Sequence, residues 1–140
     1  MEEKKNFYQL VEEACSSDKR YRPEAYEFMM QALHFTQGKL KRKGHLTGRE
    51  LSEGLREFAI EEFGPMARTV LEHWGLHSTE DFGNIVFNMI DKKLLSKTEE
   101  DTREDFRNLY DFNDAFEGVL RESVLKALED LTEDAAQKDQ

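Results

Sequence analysis

Apolar residues return every three or four positions through most of this chain, the period of an amphipathic helix. Residues 3–15 put Phe7, Leu10, Val11 and Ala14 on one side. After a loop from Ser16 to Arg22, Pro23 opens a second helix, because its fixed φ suits the first turn and its missing N–H costs nothing there. Two stripes follow: Tyr26, Met29, Met30, Leu33 and Leu40, and beside them Ala25, Phe28, Ala32 and Phe35. This helix is therefore expected to be contacted on two sides and to stop at Gly44. Thr47 with Glu50 makes a capping box for a third helix that runs to about Phe63 and buries Leu51, Leu55, Phe58, Ala59 and Phe63.

Gly64 and Pro65 break the pattern and start a pair of helices. The first turns Met66, Ala67, Val70, Leu71 and Trp74 inward and ends at Gly75, where a left-handed residue fits. Ser78 with Asp81 caps the second, whose Phe82, Ile85, Val86, Met89 and Ile90 form a wide apolar arc. An arc that wide marks a central helix. Glu80, Asp81, Asn84, Asn88 and Asp91 share its other face with Phe87 at the edge, and Gly83 on its flank leaves room for a neighbouring helix to come close. Past Leu95 the helical stripe is lost, and residues 96–112 read as a small hairpin or a long ordered loop with Glu99–Asp101 at its tip. A last helix from about Asn113 aligns Phe116, Leu120, Val124, Leu128 and Leu131, with Val119 and Ala127 alongside. The expected architecture is mainly α: a single-domain bundle of five or six helices over 1–131, with a winged-helix-like helix-turn-helix, a small hairpin, and a polar, frayed tail over 132–140.

Composition narrows the partners. The net charge is −10, and residues 99–140 hold 14 acidic and 5 basic side chains, so the acidity belongs to the C-terminal third. No apolar run is long enough to cross a bilayer, and the charged start MEEKKNFYQL does not read as a signal peptide. With Cys15 alone there is no internal disulfide, and the expected compartment is the cytoplasm.

Helix, turn, helix and hairpin suggest a DNA reader, but the face it would offer carries Glu80, Asp81 and Asp91, which phosphate repels. Asn84 and Asn88 suit adenine edges, yet no arginine or lysine stands beside them. Lys39, Lys41, Arg42, Lys43 and Arg49 form the basic cluster and are the alternative nucleic-acid surface. His73 and His77 have metal-ligand spacing, but Gly75 interrupts the helix between them, so a metal-dependent hydrolase is a third reading and no cofactor is expected. Asp101, Glu104, Asp105, Asp111 and Asp114 lack the spacing of a calcium loop. No phosphate-binding loop or nucleophile elbow occurs.

The segments YRPEAYEFMMQAL (Tyr21–Leu33) and FGPMARTVLEHWGLHSTEDFGNIVFNMIDKKLLSKTEEDTREDF (Phe63–Phe106) resemble a family of short, uncharacterised bacterial proteins. With a weaker match at LTGRELSEGLREFAIEEF, the resemblance covers most of residues 5–116 and implies no activity, cofactor or catalytic residue. The sequence thus points to a non-enzymatic protein-interaction or regulatory module. Its partner would be another protein, met through Phe106, Tyr110, Phe112, Asn84 and Asn88, or a second copy met through the long C-terminal stripe. Neither nucleic acid nor membrane is the expected partner.

Overall fold

A computed structural model describes residues 5–96 and 102–138, with side chains described as far as residue 133. Six α-helices form among these residues: α1 (Phe7–Ser17), α2 (Pro23–Leu40), α3 (Gly48–Phe63), α4 (Ala67–His73), α5 (Thr79–Asp91) and α6 (Phe112–Lys138). The fold is a single-domain helical bundle. Short 3-10 turns at Gly64–Met66 and Arg103–Phe106 complete it.

Local chemistry sets the helix ends. Asn6 and Gln9 exchange side-chain and backbone hydrogen bonds to cap α1, and Thr47 does the same with Glu50 for α3. Ser78 and Asp81 cap α5 as the sequence predicts. Gly75, with φ of 97°, makes the turn between α4 and α5, and a side chain there would also strike the Arg20 carbonyl at 2.1 Å. Arg22 N–H donates to the Trp74 carbonyl at 3.1 Å, so the α1–α2 loop lies directly on that turn.

Helix α5 is central, with Phe82, Ile85 and Met89 fully buried. Helices α2 and α3 cross closely because Gly54 has no side chain, and Thr36 Oγ1 would lie 1.8 Å from a Cβ there. Phe28, Phe58, Phe63 and Trp74 form an aromatic cluster between α2, α3 and α4, with centroids 5.2–5.7 Å apart. Gly83 does admit a close neighbour, but that neighbour is Phe106 of a 3-10 turn rather than a helix.

Several expectations change. No strand occurs among the described residues, so the hairpin and the wing are absent there; its expected tip, Glu99–Asp101, lies outside them. The segment after Thr102 is instead a 3-10 turn and a loop stapled to the start of α5. Asn108 N–H donates to Glu80 Oε1 (2.5 Å) and Leu109 N–H to Thr79 Oγ1 (3.2 Å). Helix α2 stops at Leu40, before Gly44, because Lys41 adopts the left-handed conformation and Arg42 N–H returns to the Gln37 carbonyl. Leu40 and Met66, read as core-facing, are exposed. Finally, α6 continues to Lys138, past Thr132 where the sequence places the start of a polar tail.

Candidate interaction surfaces

The polar face of α5 is occupied by its own chain. Asn84 Nδ2 donates to Tyr21 Oη at 2.9 Å, and Arg103 Nη1 donates to Asn84 Oδ1 at 3.3 Å. Tyr21 Oη in turn donates to Asp81 Oδ1 at 2.5 Å. One turn along, Asn88 Nδ2 donates to Asp18 Oδ2 (2.9 Å) and to Tyr26 Oη (3.1 Å). Asp18 also accepts from Arg20 Nε (2.9 Å) and Nη2 (2.8 Å). This pairing with Arg20, helped by Asn88, holds the Asp18 carboxyl well below the usual carboxylate range. Burial pushes the Tyr21 phenol up, and Tyr26 up to about 12. The two asparagines therefore tie α5 to the α1–α2 loop and to α2, so the side chains a DNA reader would present there are engaged within the chain.

The aromatic residues expected to meet a partner are also internal. Phe106 and Phe112 are buried, and Phe112 packs on Phe82 at 5.7 Å between centroids. Tyr110 is half-buried and donates its hydroxyl to the Ser52 carbonyl at 2.6 Å. Their aromatic surface joins α5 to α3 and α6, because the loop folds back onto α5 instead of projecting as a hairpin.

Within the basic cluster, Lys39 pairs with Glu57 and Arg42 with Glu50. Lys41, Lys43 and Arg49 are exposed. His73 and His77 are exposed on either side of the Gly75 turn. Among the described residues no group of three or more His, Cys, Asp or Glu side chains is placed to hold a metal, and no helix there is long and apolar enough to cross a membrane.

What the chain does leave open is α6. Phe112, Ala115 and Phe116 anchor its first turns in the core. Arg56 Nε donates to the Ala115 carbonyl at 3.2 Å, and Arg68 bonds the Asn113 side chain, which fixes the base of the helix. Every described residue from Leu120 onward is exposed. Leu120, Val124, Leu125, Leu128 and Leu131 are each 50–65% exposed, an apolar stripe left open among the described residues. Sequence periodicity finds four of these five, as the stripe on which a second copy is expected; Leu125 lies off the stripe and gives no such signal.

No protein-family model matches this chain, and neither a curated protein nor a solved structure is significantly similar to it.

Proposed function

We propose that this protein is a non-enzymatic interaction module that acts through α6, and that the partner on α6 is a second copy paired antiparallel. The carrying observation is the uncovered apolar stripe from Leu120 to Leu131 on a helix whose base is locked into the core. Burying five half-exposed aliphatic side chains gains roughly 1 kcal/mol each. Charge selects the direction. Glu129, Asp130 and Glu133 crowd the far end with no cation between Ala127 and Glu133, while nearer the base the charges are mixed and Arg121 pairs with Glu117. Antiparallel pairing opposes the helix dipoles and keeps the acidic far ends of the two copies apart; parallel pairing would stack them side by side.

Sedimentation equilibrium should find a concentration-dependent dimer, and V124D with L128D should make it monomeric at unchanged far-UV circular dichroism. In a C15S background, L120C mixed with L131C should cross-link as a mixed pair. Cross-linking of each variant with itself would mean parallel pairing, and a monomer at all concentrations would refute self-association. The nucleic-acid alternative has less behind it, since Lys39 and Arg42 are engaged by the chain's own carboxylates.

A further inference from the structure

Helices α2, α3 and α5 do not close completely on the Arg103–Phe106 turn. Between them lies a cleft of about 340 Å³ walled by Leu33, Leu46, Leu51, Val86, Ile90 and Phe106. That volume falls in the range of about 300–1,000 Å³ typical of small-molecule sites. At roughly 30 Å³ per water-sized unit it holds an unbranched tail of about ten carbons. Walls this apolar hold water poorly and accept a hydrocarbon chain well.

The cleft has a polar neighbour. Gln37 lines it and also lines an adjoining hollow of about 330 Å³ whose other walls are Gly38, Lys41, Arg42 and Lys43. Gln37 Nε2 donates to the Gly44 carbonyl at 3.0 Å, which holds the loop carrying these three cations beside the cleft. Arg42 is paired with Glu50, while Lys41 and Lys43 are exposed at the hollow. In a chain of net charge −10, a cation cluster at the edge of an apolar cleft is a local reversal of the field.

The geometry points to a binding site for a small amphipathic carboxylate, its tail in the cleft and its head at Lys41 and Lys43. Decanoate, titrated below its aggregation concentration and followed by calorimetry, should bind saturably at one site, and decanol about tenfold more weakly. Lys41→Glu with Lys43→Glu should weaken decanoate about tenfold and leave decanol unchanged. Val86→Phe fills the cleft and should abolish both; Ile90→Phe does the same from the adjacent turn if the first variant fails to fold. The monomeric V124D/L128D variant should bind decanoate like the parent, so the site stands or falls apart from α6 pairing. The assignment is overturned if decanoate shows no saturable binding, if decanol binds as tightly, or if charge reversal changes nothing. It is equally overturned if the protein ignores decanoate yet co-sediments with phosphatidylglycerol vesicles, which would make this face a membrane-surface site.

Discussion

Asp18 receives hydrogen bonds from Arg20 and Asn88, and its side chain is mostly shielded from solvent. Its folded pKa lies below its unfolded one, so the stability it supplies is present above the unfolded value near 4 and is lost as pH falls toward the folded value. Asp18→Asn should therefore lose about 1–2 kcal/mol at pH 7 and show a smaller further loss at pH 3 than the parent, measured by urea midpoints. Gly54 is decided by space alone: a methyl group would meet Thr36 Oγ1 at 1.8 Å. Gly54→Ala should destabilise by about 1–3 kcal/mol, and Thr36→Ala in the same chain should recover part of that, a coupling a double-mutant cycle measures. Neither partner is visible in the sequence. Asn88 lies 70 positions from Asp18, and nothing in the local pattern around Gly54 names Thr36.

At the level of elements, helices and caps were largely legible, because they depend on neighbours within one turn. Thr47 with Glu50 and Ser78 with Asp81 cap where their spacing says. The segment after Thr102 was not legible. Its Phe106, Tyr110 and Phe112 lie in a polar background that fits a hairpin as well as a loop, and only docking on Gly83, Ser52 and Phe82 separates the two. Tyr110→Phe removes one hydrogen bond and should cost about 1 kcal/mol. Its amides at Asn108 and Leu109 should exchange faster, since the loop has lost one of its staples to the bundle.

The molecule as a whole divides into a packed body and a projecting helix. The core ends at Phe116, and the described part of α6 beyond Leu120 touches little. A chain ending at Gly118 should keep the parent's thermal midpoint to within a few degrees, a change of less than about 1 kcal/mol. The same chain should sediment as a monomer. Loss of the fold on this truncation would mean that the distal helix folds back on the body in solution. The comparison tests the division of labour directly: stability in the body, association in α6.

Spacing and capping chemistry settled that this chain is helical, where most helices begin and end, and which side of each is apolar. An apolar side, though, is a demand for cover and does not say what supplies it. The tertiary structure assigned that cover to Phe106, Phe112 and the α5 arc, and withheld it from Leu120, Val124, Leu128 and Leu131, although the two sets look alike in sequence. It likewise turned Asn84 and Asn88 from candidate readers of another molecule into ties within their own. Burial is a property of what lies opposite a residue, and contacts between residues distant in the chain are what determine it.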